Sequence, residues 1–171
     1  MMAQQPPFNL QGWVTEHRHL LKPPVGNACI WNSNFLVMVV GGPNQRGDYH
    51  INPGEELFYQ LEGDIVLRII EDGKPRDIPI RQGDIFLLPA GVPHSPQRPP
   101  NTVGLVVEQP RASKEDHHLR WYCRQCGAVV HDVEFQPVDL GKQLKTMIEQ
   151  FNGSQELRTC KSCRAVFEVP A

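Results

Sequence analysis

The chain has 171 residues, with 17 basic and 19 acidic side chains and a formal net charge of −2. That length suits one ordinary domain with a small appendage, and the balanced charge gives no electrostatic reason to expect nucleic acid. No apolar run approaches the roughly 18 residues of a membrane span and no signal peptide is evident, so we expect a cytoplasmic protein without a membrane partner.

The N-terminal region predicts an amphipathic helix. Apolar residues recur at spacings of three and four over residues 9–21, and residues 22–26, which include two prolines, end the pattern. Beyond this helix, Cys29 lies in a mixed apolar stretch. We expect it to be a small buried side chain rather than a nucleophile.

A series of short β-strands is expected next. Apolar runs alternate with turn residues, and the Asp72-Gly73 pair is typical of a hairpin because tight turns require positive φ angles. The expected strands are residues 35–40, 57–61, 64–70, 76–80, 84–88 and 102–108. Many short strands at this spacing predict an antiparallel barrel or sandwich.

Three potential metal ligands, His50, Glu56 and His94, lie within this region. Two imidazoles and one carboxylate can occupy one face of an octahedral metal and leave three positions open, which suits Fe(II) enzymes that bind both substrate and O₂. His50 and Glu56 are six residues apart, so they would face the same way on one regular strand, although Pro53-Gly54 can disturb that register. The sequence predicts a mononuclear iron site inside a small barrel.

The residues around these ligands resemble the two motifs of the cupin family. Glu56 and Gly63 match the end of the first motif. The second motif is reproduced in full by Gly83, Pro89, Gly91 and His94. The resemblance implies a mainly β fold, an antiparallel β-barrel or jelly roll.

Two positions depart from the cupin pattern. Asn52 stands where cupins usually carry a second histidine, which leaves three protein ligands. Arg98 stands where the second motif usually ends in asparagine, and it places a guanidinium near the metal. The guanidinium fork suits a planar carboxylate that accepts two hydrogen bonds.

The last third of the chain carries a second candidate metal site. Residues 109–118 are polar and contain proline, which indicates a linker. Two Cys-x-x-Cys pairs follow, formed by Cys123, Cys126, Cys160 and Cys163. Four thiolates can surround a tetrahedral iron or zinc ion, and such a closed site favours a structural role. A redox motif, electron transfer to the barrel iron and a nucleic-acid finger are the alternatives.

A helix is predicted between the two cysteine pairs, because Leu140, Leu144, Ile148 and Phe151 repeat at helical spacing behind Asp139, a candidate helix cap. The pairs resemble the knuckles of rubredoxin and zinc-ribbon modules. We therefore divide the chain into a cupin catalytic barrel with an N-terminal helix, residues 1–112, and a linker with a small rubredoxin-like four-cysteine tail, residues 113–171.

A more specific resemblance combines these features. Arg46, the three barrel ligands, the run His94-Ser95-Pro96-Gln97-Arg98-Pro99, Glu108 and the cysteine tail are similar to the bacterial form of the 3-hydroxyanthranilate 3,4-dioxygenase family. The resemblance implies Fe(II)-dependent cleavage of 3-hydroxyanthranilate by O₂, without an organic cofactor. It also implies the product 2-amino-3-carboxymuconate semialdehyde, the quinolinate precursor in NAD biosynthesis from tryptophan through kynurenine.

The same resemblance assigns substrate contacts to Arg46, Glu56, Arg98 and Glu108. Arg98 would bind the substrate carboxylate, and Glu108 would accept a proton at the hydroxyl or amine. Arg46 would stabilise bound oxygen by its charge. Taken alone, Glu108 is a strand-end carboxylate and Arg46 a loop arginine. Since small single-barrel cupins are usually dimers, we also expect a homodimer.

Two other functions remain open from the residues. Another cupin dioxygenase would use the same metal ligands, but a thiol substrate would not need Arg98 and Glu108. A non-enzymatic, ligand-sensing cupin would bind a small molecule without consuming O₂. Oxygen uptake with 3-hydroxyanthranilate discriminates among the three.

Overall fold

The computed structural model describes residues 6–22, 26–44, 46–109, 116–138 and 140–170. Strands dominate within these ranges, with one short helix at the start and two helices near the end. In chain order the elements are α1 (Leu10–His17), a 3₁₀ turn (Arg18–Leu20), β1 (Gly26–Asn32), β2 (Leu36–Gly41), β3 (Tyr49–Ile51), β4 (Glu56–Glu62), β5 (Ile65–Glu71), β6 (Lys74–Ile80), β7 (Ile85–Leu88), β8 (His94–Gln97), β9 (Val103–Glu108), β10 (His117–Tyr122), β11 (Val129–Phe135), α2 (Leu140–Gly153) and α3 (Gln155–Arg158).

The strands form two antiparallel sheets that pack face to face. Their orders are β1-β2-β9-β4-β7 and β11-β10-β3-β8-β5-β6. Residues from both sheets share one apolar cluster, including Met38, Phe58, Leu67 and Leu88. Because alternate side chains of each strand point inward, the polar residues in register with this cluster also face the interior. The architecture confirms the expected mainly β, cupin-like fold.

The hairpin between β5 and β6 is the one predicted from Asp72-Gly73. Both residues have positive φ, 51° at Asp72 and 73° at Gly73. Strand pairing runs without interruption from Ile65 opposite Ile80 to Glu71 opposite Lys74. The turn therefore fixes the register of this pair, as its sequence predicts.

Helix α1 covers part of the outer face of the five-stranded sheet. The side chain of Asn9 caps it by accepting a hydrogen bond from the backbone N–H of Gly12 at 2.8 Å. Val14 is fully buried and packs in one cluster with Val39 and Val103. The α-helix ends at His17 and continues as a 3₁₀ turn to Leu20, before the segment 22–26 that was expected to end it; residues 23–25 of that segment lie outside the described residues.

Strands β10 and β11 were not predicted. His117 and His118, which composition assigned to the linker, instead begin β10. Leu119 of β10 pairs with His50 of β3, so the segment after the linker extends the second sheet of the barrel. Residues 110–115, which include the predicted boundary at residue 112, lie outside the described residues, and the domain division stays a prediction.

The tail has its own core beside the barrel. Leu144, Ile148 and Phe151 of α2 are buried, which confirms the helical spacing, whereas the expected cap Asp139 lies outside the described residues. The Phe151 ring stacks on Trp121 of β10 with 4.2 Å between ring centroids. Within the described ranges, we find no helix with the length and apolar character that crossing a membrane requires.

Candidate active site

Three side chains from three different strands meet inside the barrel. His50 lies on β3, Glu56 begins β4 and His94 begins β8, and their side-chain ligand atoms all lie within 4.8 Å of one another. All three residues are buried. The expectation that His50 and Glu56 share a face of one strand was wrong, because β3 and β4 belong to different sheets. Their side chains converge because the two sheets face each other.

The atomic separations fit a metal held on one side. His50 Nδ1 lies 3.5 Å from Glu56 Oε1, and His94 Nε2 lies 3.3 Å from Glu56 Oε2. Ligands about 2.1 Å from a metal and at right angles are about 3 Å apart. His94 Nδ1 lies 3.0 Å from the carbonyl oxygen of Val92, which can only accept, so Nδ1 carries the proton. The lone pair of Nε2 is then free to bind a metal.

The charge states also suit metal binding. Burial lowers the pKa of His50 well below its ordinary value, so its imidazole is neutral. Burial raises the pKa of Glu56, but its interactions with the adjacent His94, then with His50, and the hydrogen bond from Asn52 outweigh burial and lower this pKa to about 2. Metal ligation requires neutral imidazoles and an ionised carboxylate. The described residues at this site therefore fit a divalent cation.

His117 contacts His50 and was not singled out from the sequence. His50 Nε2 and His117 Nδ1 are 3.0 Å apart, and the two rings stack with centroids 5.2 Å apart. A hydrogen bond at the nitrogen that does not face the metal fixes the orientation of a ligating imidazole. The contact spans 67 residues and depends on β10, so no local sequence signal indicated it.

Arg98 is a buried cation without a described counter-ion. Its Nη1 donates to Gln60 Oε1 at 3.3 Å, whereas Nε has no hydrogen-bond partner among the described residues. Gly104 leaves room for it, since a Cβ there would lie 2.9 Å from Arg98 Nη1. Burial and then the charge of Arg46 lower the pKa of Arg98 to about 10, so it remains protonated at neutral pH. A buried unpaired charge is costly, which indicates an anionic ligand.

Gln60, the partner of Arg98, lies on the same side of β4 as Glu56. The two residues are four positions apart on one strand, and both are buried. Side chains at even spacing on a strand share a face. The guanidinium of Arg98 and the candidate metal ligands therefore face the same barrel interior.

Glu108 ends β9 directly opposite Glu56 in the β4–β9 register. It is only 4% exposed, so its strand-end position does not make it a surface residue. Burial, followed by the negative charge of Glu56, raises the pKa of Glu108 well above its ordinary value. A carboxyl group with a raised pKa can exchange a proton closer to neutral pH.

Arg46 forms an ion pair with Asp48, whose side chain is fully buried. Its Nε lies 3.2 and 3.1 Å from the two carboxylate oxygens, and its Nη2 also donates to Asp48. The charge of Arg46 still contributes to the lowered pKa of His50 and of Arg98. The positive charge of Arg46 therefore acts on His50 and Arg98 inside the barrel. Its expected contact with bound oxygen remains a prediction.

A cavity of about 380 Å³ opens beside Glu108 and His117. Part of its wall comes from Pro137 and Val138, which follow β11, and from Leu140 and Gly141 at the start of α2. A cavity lined by a candidate proton acceptor and apolar side chains suits a small aromatic molecule. The part of the chain that carries the cysteines therefore borders the cavity that Glu108 and His117 also line.

Cys29 is exposed, which corrects the expectation that it is buried. It lies on β1, one of the two edge strands of the five-stranded sheet, and it lines the cavity. An edge strand is paired on one side only, so its side chains are less completely covered. Burial of part of the side chain raises the pKa of its thiol, and its Sγ donates to the carbonyl oxygen of Trp31 at 3.1 Å.

The four paired cysteines form the second candidate metal site. Cys123 Sγ lies 3.5 Å from Cys163 Sγ, and Cys126 Sγ lies 3.7 Å from Cys160 Sγ. Sulfur atoms at the corners of a tetrahedron with bonds of about 2.3 Å are about 3.8 Å apart. The backbone N–H of Cys163, assisted by that of Ser162, lowers the pKa of Cys160 to about 6. The cluster therefore fits one tetrahedral metal ion.

One family model and several curated relatives match most of the chain. Among solved structures, a cupin-2 domain containing protein from Shewanella frigidimarina NCIMB 400 is 17% identical with a TM-score of 0.46, covering 59% of this chain and 99% of that one. The curated 3-hydroxyanthranilate 3,4-dioxygenase of Neurospora crassa is 50% identical over 92% of this chain and 87% of that protein. The protein of the same name from Xanthomonas campestris pv. campestris (strain B100) is 50% identical over 96% of this chain and 94% of its own length. The model of the family described as 3-hydroxyanthranilic acid dioxygenase matches residues 2–152. The chain belongs to this 3-hydroxyanthranilic acid dioxygenase family.

Proposed function

We propose that this protein is an Fe(II)-dependent dioxygenase that opens the ring of 3-hydroxyanthranilate. Family membership supports the reaction class. The observation that carries the proposal is the buried cluster of His50, Glu56 and His94, which shares the barrel interior with Arg98, a buried cation that has no counter-ion among the described residues. Two imidazoles and one carboxylate leave open metal positions, and a buried arginine selects a substrate that carries a carboxylate.

The reaction breaks the bond between C3, which bears the hydroxyl, and C4, and both atoms of O₂ enter the product. That product is 2-amino-3-carboxymuconate semialdehyde, which cyclises to quinolinate with loss of water. Fe(II) at the three ligands would offer open positions to the substrate's adjacent hydroxyl and amine and to O₂, and would carry electrons between them. The protein would then act in NAD biosynthesis from tryptophan, without an organic cofactor.

Arg98 orients the substrate in this proposal. Its Nε faces the interior without a described partner, and Gln60 holds its Nη1. A carboxylate can satisfy the free donors with charge-assisted hydrogen bonds. This contact fixes which face and edge of the substrate ring approach the metal ligands. It also gives the buried guanidinium the hydrogen-bond acceptors that water would supply at the surface.

Glu108 accepts a proton as the substrate binds. Its raised pKa makes the ionised form a stronger base than an exposed carboxylate, and Asn52 holds its Oε2 through a 3.0 Å hydrogen bond. Arg46, close enough to affect the pKa of His50, adds positive charge on the side where oxygen would react. Asp48 positions that guanidinium.

The cysteine cluster would hold a structural iron or zinc ion in a reducing cytoplasm. All four thiols are free and their sulfur atoms converge, so a metal rather than disulfides explains the arrangement. Four protein ligands leave no position for substrate.

The experiment that tests the reaction is product analysis by mass spectrometry. Iron-loaded protein incubated in air with 3-hydroxyanthranilate should give a compound equal to the substrate plus both atoms of O₂, and then quinolinate. A ligand-sensing cupin would return the substrate unchanged. Another cupin dioxygenase would act faster on a different aromatic or thiol compound than on 3-hydroxyanthranilate.

Replacing Arg98 with methionine should lower kcat/KM for 3-hydroxyanthranilate by roughly 10- to 100-fold, the effect of losing a hydrogen bond to a charged group. With 2-aminophenol, which lacks the carboxylate, the same substitution should change kcat/KM little. The control is Arg68→Met, because Arg68 is an exposed arginine paired with Asp77 on the outer side of the barrel. Equal losses with both substrates would show that Arg98 does not bind the carboxylate.

We also propose a homodimer that uses the outer face of the five-stranded sheet. Near the edge strand β7, Ile85 is 67% exposed, Leu87 52% and Tyr59 39%. A contiguous apolar patch on a small protein usually marks an association surface. Dimerisation would cover these side chains.

Ile85→Lys should convert this dimer to monomers in sedimentation velocity at micromolar concentration, because it places a charge in a desolvated interface. Val166→Lys, at an exposed apolar residue of the tail, is the control and should leave the dimer intact. A wild-type protein that sediments as a monomer would refute the dimer.

A further inference from the structure

We propose that Asn52 is a positioning residue that fixes Glu108 relative to the metal ligand Glu56; this inference rests on the proposed function. Asn52 Nδ2 lies 3.1 Å from Glu56 Oε1 and 3.0 Å from Glu108 Oε2. The residue is 3% exposed, so water does not compete for these contacts. One amide group therefore bridges the metal ligand and the proton acceptor.

The orientation of the amide follows from its other contacts. The backbone N–H of Gly54 donates to Asn52 Oδ1 at 2.8 Å, and an N–H cannot donate to an NH₂ group that is itself a donor. Nδ2 must therefore face the two carboxylates, and both of its hydrogens are used. The backbone carbonyl oxygen of Asn52 also accepts a hydrogen bond from the backbone N–H of Gly91, in the loop that leads to His94. Side chain and backbone are thus both held.

The two hydrogen bonds from Asn52 reduce the repulsion between two neighbouring carboxylates. Glu56 and Glu108 lie directly opposite each other on β4 and β9, where two buried carboxylates repel. A shared NH₂ donor offsets this repulsion and sets the distance between the carboxylates. It occupies only Oε2 of Glu108, and Asn52 is the sole partner of this side chain among the described residues. Oε1 can therefore meet the substrate.

Side-chain NMR of metal-free, ¹⁵N-labelled protein tests the bridge without any activity. The NH₂ signals of Asn52 are assigned by their loss in Asn52→Asp. Both protons should lie downfield of those of the exposed Asn34. Glu56→Gln and Glu108→Gln should each shift mainly one of them, because each removes a charged acceptor. Signals that coincide with those of Asn34 would overturn the proposal.

Kinetics of iron-saturated variants test the coupling to Glu108. Asn52→Asp keeps the size of the side chain and its contact with Gly54 but removes both donors, and it should lower kcat/KM about 10- to 100-fold. In the Glu108→Gln background, Asn52→Asp should lower kcat/KM by less than about 3-fold. The amide introduced at position 108 can then donate a hydrogen bond to the carboxylate introduced at position 52. The same loss in both backgrounds would overturn the proposal. A wild-type protein inert toward 3-hydroxyanthranilate would instead refute the proposed function, and the NMR result would still decide the bridge.

Discussion

Glu56→Gln is expected to abolish both iron binding in the barrel and oxygen uptake with 3-hydroxyanthranilate. Glu56 is the only anionic ligand of the three, and its pKa of about 2 keeps it ionised at every working pH. The neutral amide keeps the size of the side chain but loses the charge that balances a divalent cation. The loss of Fe(II) affinity should exceed the about 100-fold typical of residues that only support a ligand. Anaerobic titration with Fe(II) against a competing chelator measures it.

The matched control is Glu62→Gln on the same strand. Glu62 pairs with Arg18 at 2.7 Å and lies apart from the ligand cluster. This variant should keep its barrel iron and its oxygen uptake. Glu108→Gln should keep the iron but turn over measurably more slowly, because we propose that Glu108 contacts the substrate rather than the metal. Full iron binding by Glu56→Gln would contradict the assignment of this carboxylate.

Cys160→Ser is expected to empty the second metal site and unfold the tail. Cys160 is fully buried in the cluster of Trp121 and Phe151. Structural metal binding by cysteines contributes on the order of 10 kcal/mol, which is comparable to the whole stability of a domain. Metal analysis should show the loss of one ion per chain, and hydrogen exchange of α2 should accelerate. Because Leu140 and Gly141 line the cavity, the KM for substrate should also rise.

Cys29→Ser provides the control, since its thiol is exposed and lies outside the four-cysteine cluster. It should leave the metal content and the unfolding midpoint unchanged. A Cys160→Ser protein that keeps its fold and its substrate affinity but loses turnover would contradict the structural role. That result would instead support electron transfer from the cysteine site.

Six of the strands (β2, β4, β5, β6, β7 and β9) and the helices α1 and α2 were predictable because their signals are local. The apolar run before Gly41, the hairpin residues Asp72-Gly73 and the helical repeat ending at Phe151 each correspond to an observed element. The candidate metal ligands were predictable for a different reason. Motif spacing identified Glu56 and His94, and the four sulfur atoms converge as the two Cys-x-x-Cys pairs indicate.

What the sequence could not predict depends on contacts between distant strands. His117 reaches His50 only because β10 pairs with β3, and composition alone had suggested a linker there. Asn52 was noted as a missing histidine, but its bridge to Glu108 requires the pairing of β4 with β9. Cys29 looked buried because its neighbours are apolar, whereas its exposure follows from the place of β1 at a sheet edge.

The most direct test of the central claim is oxygen consumption after anaerobic loading of metal-free protein with Fe(II). Wild-type protein should consume one O₂ for each 3-hydroxyanthranilate, in proportion to the iron bound at His50, Glu56 and His94. Protein loaded with Zn(II) should consume none, because Zn(II) cannot change its oxidation state. Iron-loaded protein that leaves O₂ untouched would contradict an iron-dependent reaction at these three residues, and so would equal uptake without iron in the barrel.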